Sequence, residues 1–231
     1  MKNRKARRES GKLPAKFNPE IILKDVSFSY KEDNPLIEKF NMVVNKGDWT
    51  AITGPSGCGK TTIINLILGL YAQDEGEITI SGVSTSEVNF EFILKNVGIA
   101  PQEPFLWNTS IKNNLLYFNK TASQKDLDAV LEDVKLFDVV KKLPKGLESD
   151  IGDDACRFSV GQKQRLSLAR ALISKPKILI FDEALSSVDI QTSDYILKNI
   201  KIKYPDLTVL LISHNPKDLN YCDRILNVDE I

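Results

Sequence analysis

The sequence is short of several things, and each shortage excludes a class of protein. Its three cysteines, Cys58, Cys156 and Cys222, are odd in number, far apart and form no C-x-x-C pair. That argues against a disulfide framework and a zinc site, and it fits a reducing compartment. Neither sign of charge is in excess: 31 Lys and Arg face 31 Asp and Glu. No overall basic excess therefore points to nucleic acid as a partner. No stretch approaches 18 consecutive apolar residues, so nothing in the chain reads as a membrane span. Internal repeats and low-complexity segments are absent. What remains is ordinary for a globular domain, 42% hydrophobic and 27% charged, and 231 residues suffice for one domain or a domain with a subdomain.

One local imbalance stands out. Lys2, Arg4, Lys5, Arg7, Arg8, Lys12 and Lys16 precede residue 20, with Glu9 the one acid before it. No apolar run follows that would make this a secretory signal. Residues 1–19 are expected to be either a solvated arm or a segment held against anionic lipid or a membrane partner.

Residues 54–61 carry the strongest signal, Gly-Pro-Ser-Gly-Cys-Gly-Lys-Thr, a phosphate-binding loop of the form G-x-x-x-x-G-K-[ST]. Backbone N–H groups cradle phosphate oxygens only where the chain bends tightly, which explains Gly54, Gly57 and Gly59. Lys60 places a charge near the outer phosphates, and the Thr61 hydroxyl suits Mg²⁺. Trp49–Thr53 before the loop reads as a buried strand, and Ile63, Ile64, Ile67 and Leu68 after it recur at helical spacing. Strand, loop and helix together aim a helix N-terminus at an anion. The expected ligand-contacting run is Gly54, Pro55, Ser56, Gly57, Cys58, Gly59, Lys60, Thr61 and Thr62, with Cys58 there for packing.

Elsewhere, strands are expected at 21–30, 37–44, 77–80, 97–100, 177–182, 208–213 and 224–228. Asn34-Pro35 and Asp74-Glu75-Gly76 are expected as turns. Ser123-x-x-Asp126 looks like a capping box before Leu127, Val130, Leu131 and Val134. Helices are expected there, at about 160–173 and at 189–203. Strands alternating with helices imply α/β architecture with a mostly parallel sheet, and the block at about 105–173 reads as an inserted helical subdomain.

Two buried strands deliver chemistry at their C-terminal ends, where α/β sheets bind ligands. Ile178–Phe181 leads to Asp182 and Glu183; Asp182 suits a metal, and Glu183 suits polarising an attacking water. Leu211-Ile212-Ser213 leads to His214, the one histidine in the chain.

With these pieces in place, the chain resembles the nucleotide-binding domain of exporter-type ABC transporters, over about residues 20–230. The resemblance rests on Val26-Ser27-Phe28-Ser29-Tyr30, loop 54–61, Ala100-Pro101-Gln102-Glu103, Phe158-Ser159-Val160-Gly161-Gln162, Ile180–Glu183, Ser186-Ser187-Val188-Asp189 and Ser213-His214, in the family's order. It implies a P-loop NTPase core with an antiparallel β subdomain, binding ATP and Mg²⁺. It implies that Tyr30 stacks on adenine and that Thr61, Gln102 and Asp182 serve the metal. Catalysis would rest on Lys60, Gln102, Glu183 and His214. Ser159, Gly161 and Gln162 would contact ATP held by a second copy, with Asp189 in the loop crossing between the two. Glu103–Ile111 and Ile151-Gly152-Asp153-Asp154 resemble the surface that receives transmembrane domains, placing the chain at the cytoplasmic face of a membrane.

Two departures accompany it. Val160 replaces the first signature glycine, and a β-branched residue disfavours a left-handed backbone there. Relatives continue past the position of Ile231, so the last strand is expected to be weakly anchored. Two other classes share the motifs: a regulatory cassette with little turnover, and a soluble ABC ATPase outside transport.

Overall fold

The computed structural model describes residues 11–14, 16–31, 34–152 and 158–228. Cys156, Asp153, Asp154 and the terminal residues 229–231 lie outside them.

Two burial patterns divide the strands between two sheets. Along β1 (Ile21–Lys31), β2 (Asn34–Val44) and β4 (Glu75–Ile80), buried positions are interspersed with exposed ones. These strands and the short β5 (Val83–Ser84) form an antiparallel sheet of order β2-β1-β4-β5, whose outer face meets water. By contrast β7 (Ile178–Asp182) and β8 (Thr208–Ile212) are buried throughout, and β3 (Trp49–Thr53) nearly so. With β6 (Val97–Ala100) and β9 (Arg224–Asn227) they form a second sheet, β6-β7-β8-β3-β9, in which every pair is parallel.

Successive side chains on a strand point to opposite faces, and this splits the core. Leu179, Phe181, Val209 and Leu211 join a cluster with Leu127, Leu131, Leu168, Leu172 and Ile196. These partners come from helices α4 (Gln124–Asp133), α6 (Val160–Ile173) and α7 (Ile190–Lys203). Ile178, Ile180, Leu210 and Ile212 join the opposite cluster with Ile21, Phe28 and Ile78 of the antiparallel sheet and with Ile63 and Ile67 of α1 (Lys60–Ile67). The parallel sheet is thus the middle layer.

Helices α2 (Phe90–Asn96), α5 (Phe137–Lys141) and α8 (Pro216–Leu219) were not expected from periodicity; each is too short to show one. Between β6 and β7 lie α3 (Ile111–Leu116), α4, α5, a single 3₁₀ turn (Gly146–Glu148) and α6. The Ser123–Asp126 capping box opens α4 as expected. Asp133, 1% exposed at the end of α4, accepts from the Tyr204 hydroxyl (2.7 Å), Asn199 Nδ2 (2.9 Å) and the Lys203 ammonium. That bond to Asp133 raises Lys203 above the ordinary lysine range. The helical block is thereby tied to α7 by a buried charge with its hydrogen bonds satisfied.

Two expected turns are strand instead. Asn34 and Pro35 open β2, with Pro35 opposite Ser29. β2 is an edge strand, and there a proline costs no ladder bond. Glu75 and Gly76 belong to β4, while Asp74 caps the bend by accepting the Ser29 N–H (2.8 Å). Residues before β1 touch the body: Phe17 meets the Phe92 ring at 5.5 Å, and Thr208 Oγ1 donates to the Pro19 carbonyl (2.8 Å).

Candidate active site

Because the middle sheet is parallel, β3, β6, β7 and β8 all end on the same side of it. Four loops with polar side chains therefore meet at one edge: 54–59, 101–104, 183–188 and 213–215.

The first loop turns through Gly54, Gly57 and Gly59 at φ of 145°, 86° and 102°, where an L side chain is strained. Gly59 hands the chain to α1, and no side chain caps that helix. Lys60 is 6% exposed; its ammonium donates to the carbonyls of Gly54 (2.8 Å) and Pro55 (2.6 Å). The loop is thus wrapped around its own cation. Cys58 is a free, half-buried thiol packed against the apolar core, as a packing residue would be. Pro55, Ser56 and Gly57 face outward. The Thr62 hydroxyl is 3.0 Å from the Tyr30 hydroxyl, which ties the tyrosine to α1. Tyr30 is 48% exposed and its ring packs edge-on against Phe28 (5.0 Å) and Tyr71 (5.6 Å).

Opposite the loop, Asp182 ends β7 at 8% exposure, and its Oδ1 accepts from the Thr61 hydroxyl at 3.2 Å. Burial pushes its carboxyl up; the Thr61 bond and Lys60 oppose that, and Glu183 adds to it. A buried carboxylate with a hydroxyl at hydrogen-bond distance is a hard-oxygen pair, the donor set Mg²⁺ takes when phosphates complete its shell. Among the described residues no group of three or more His, Cys, Asp or Glu could form an all-protein metal cage.

Glu183 follows at φ 49°, a conformation that costs a non-glycine residue energy and often marks functional positions. Its N–H donates to the Ile212 carbonyl (3.1 Å), locking the turn to the end of β8. Its carboxylate is held from both sides: Gln102 Nε2 donates to Oε2 (2.7 Å), and His214 Nε2 lies 3.1 Å from Oε1. The structure thus brings together residues from three loops far apart in sequence. A cavity of about 290 Å³ opens beside them, lined in part by Glu183, Ser186, Ser213 and His214.

Residues 158–162, the family signature in the resemblance, lie at the start of α6. Ser159 caps α6: its hydroxyl accepts the Gln162 N–H (3.2 Å), and Gln162 Oε1 accepts the Ser159 N–H (2.9 Å). Val160 is the first helical residue, 60% exposed, with no left-handed backbone. Gly161 abuts residue 187; a Cβ there would sit 2.4 Å from the Ser187 carbonyl oxygen. Asp189 caps α7 by accepting the Thr192 N–H (2.9 Å), a bond that holds its carboxyl below the usual range. Among the described residues, the hydrogen bonds of Ser159, Gln162 and Asp189 stay within their own helix starts, and none reaches loop 54–62.

Several participants were not visible in the sequence. Gln164, 2% exposed, bonds to the loops of Gln102 and Ser186. Asp218, 6% exposed, accepts from Ser213 (2.7 Å) and Ser193 (3.1 Å), bracing the strand end that carries His214. Asn114, fully buried, accepts the Trp107 N–H (2.9 Å) and donates to the carbonyls of Trp107 and Ser110. It shapes the loop that displays Phe105, 66% exposed, and Trp107, stacked on Tyr117 at 3.9 Å. With Phe118 these rings make an aromatic surface. Each polar anchor looks like an unremarkable helix residue until its partners are known.

The family model described as ABC transporter matches residues 37–186. A multidrug resistance protein of Caenorhabditis elegans is 34% identical over 221 residues, 95% of this chain and 17% of its own length. An ABC transporter ATP-binding/permease protein of Bacillus subtilis is 35% identical over 213 residues, 91% of this chain and 36% of its own. A solved bacterial Atm1-family ABC exporter with ATP bound superposes with a TM-score of 0.88 at 32% identity, over 96% of this chain and 39% of that one. The chain therefore spans well under half the length of these relatives. With the family model matching more than half of it and a solved exporter superposing along nearly all of it, the chain belongs to the ABC transporter family and matches the ATP-binding part of these relatives.

Proposed function

We propose that this domain is the motor of an exporter and works as a pair, two copies closing head to tail around two ATP molecules at the cytoplasmic face of a membrane. The observation that carries this reading is Glu183, held between Gln102 and His214 on the same sheet edge as loop 54–61.

Each residue then has a task. Loop 54–62 binds the phosphates through backbone N–H groups, and Lys60 exchanges its contacts with Gly54 and Pro55 for phosphate oxygens. Tyr30 offers its exposed ring face to the base. Thr61, Asp182 and Gln102 would hold Mg²⁺, which when bound neutralises charge developing on the phosphates. Glu183 accepts a proton from the attacking water while Gln102 and His214 fix its two oxygens. Ser159, Gly161 and Gln162 of one copy face the ATP of the other, and Asp189 lies at the crossing between copies. The dipole and free N–H groups at the start of α6 favour that anion.

The aromatic surface of Phe105, Trp107, Tyr117 and Phe118 would meet transmembrane domains. No described helix is long and apolar enough to cross a membrane, so these domains belong to another part of the protein or to a separate chain.

The test is ATP hydrolysis against protein concentration, with size-exclusion chromatography of Glu183→Gln in ATP. Turnover rising with the square of concentration, and an ATP-dependent dimer of the variant, are expected. Turnover per chain that stays constant on dilution, with Ser159→Ala fully active, would overturn the paired site.

A further inference from the structure

Gln164 sits inside the protein, 2% exposed, on the helix whose first turn carries Ser159 and Gly161. Its carboxamide has two N–H groups and a carbonyl oxygen, and all of them bind backbone or side chains of the active-site loops. Nε2 donates to the Gln102 carbonyl (3.1 Å) and to Ser186 Oγ (3.1 Å). Oε1 accepts the Ser187 N–H (3.0 Å). Gly161, three residues earlier on the same helix face, lets the Ser187 backbone approach too closely for any Cβ. The start of α6 is therefore keyed to residues 186–187 by a bare backbone at one turn and a hydrogen-bonded amide at the next.

Both loops that Gln164 grips lead directly to Glu183. The Gln102 side chain donates to Glu183 Oε2 (2.7 Å). The Ser186 N–H donates to the Glu183 carbonyl (3.1 Å), closing the strained turn. Beyond Ser187 the same loop runs to Asp189.

We propose that Gln164 is a positioning residue that sets α6 in register with the Gln102 and Ser186 loops, so that a displacement of α6 reorients the Glu183 carboxylate. This rests on the reading of Glu183 as the hydrolytic base. Gln164 touches no reacting atom; it acts through Gln102 and the 183–186 turn.

The test uses Gln164→Met, which keeps length and burial without hydrogen bonds, and Gln164→Glu, which keeps the acceptor for Ser187 and, when ionised, loses both donors. Steady-state phosphate release is measured against ATP concentration, with melting curves for each variant. Gln164→Met is expected to lower kcat about tenfold or more, with KM within about threefold, while still folded at the assay temperature. Gln164→Glu is expected to lower kcat as well, with KM again within about threefold. A purely structural amide would not confine its loss to kcat in this way. A Gln164→Met kcat within about twofold of wild type, a loss matched by the unfolded fraction, or a KM that rises in step with the fall in kcat would overturn the proposal. Glu183→Gln is run alongside: if it turns over as fast as wild type, the reading of Glu183 fails, whereas active Gln164 variants beside a dead Glu183→Gln remove only the positioning role.

Discussion

Helices α1 and α6 begin in opposite ways. α1 starts after Gly59 in a left-handed conformation with no side-chain cap. α6 starts after Ser159 with a reciprocal capping box, in which the Ser159 and Gln162 N–H groups are each bonded to the other's side chain and those of Val160 and Gly161 lie outside the box. An uncapped helix start leaves donors for an anion; a capped one has used part of its capacity. On the proposed reading the first therefore holds a phosphate within a single chain. The second is partly capped in the lone chain, and on the proposed paired reading the N–H groups of Val160 and Gly161 and the dipole are what it offers a nucleotide on a partner. On that reading the difference between these two helix starts separates binding from turnover.

Removing the proposed hydrolytic base should separate them most sharply. Glu183→Gln is expected to slow phosphate release by roughly 10²–10⁴-fold, while ATP affinity, read by fluorescence titration, changes by less than about threefold. An equal loss of affinity would show that Glu183 supports the loop and does not serve chemistry.

Next in size is the cation at α1. Lys60→Ala should weaken ATP binding about tenfold or more, roughly 1.4 kcal/mol, because the charge within loop 54–59 is lost. Ser159→Ala in the same titration, at protein concentrations where the chain is single, should leave affinity unchanged. Similar losses for both variants would break the contrast between the two helices.

Ser159→Ala should instead cost about 1 kcal/mol of stability through the lost cap. For a domain of this size the melting temperature then falls by about 2–4 °C, and Ser159→Asp should recover most of it. A melting temperature unmoved by Ser159→Ala would mean the capping box contributes nothing to α6.

The smallest effect is a control on a third helix start, remote from nucleotide. Bonds from Ser123 and a contact with Lys175 hold the Asp126 carboxyl far below the ordinary range. A carboxyl depressed on folding stabilises above its unfolded pKa of about 3.9, and that contribution fades as pH falls through the folded value. Asp126→Asn should thus melt slightly below wild type at neutral pH, with the gap closing in acid. A gap that widened in acid would contradict the bond pattern at α4.

Legibility followed the range of the interaction. Loop 54–61 was readable because its chemistry is contiguous: three glycines, a lysine and a threonine act within one turn of chain. The box at Ser123 and Asp126 was readable for the same reason. β7 and β8 were readable because a strand covered on both faces must be apolar throughout. Misread positions were those where context outweighs local preference. Pro35 breaks a central strand but costs nothing on the edge strand β2. Gln164, Asn114 and Asp218 were invisible, because a polar residue within a helix carries no mark of whether solvent or another loop will satisfy it.

What the residues determined unaided is a set of chemical capacities: a bend that can cradle phosphate, acids and a histidine at the ends of buried strands, helix starts that cap themselves or do not. What the tertiary structure alone decided is which of these meet. Gln102, Glu183 and His214 lie 81 and 31 residues apart along the chain, yet they share one carboxylate. They do so because a parallel sheet ends all its strands on one side, and hydrophobic burial on both faces leaves that sheet no other way to lie.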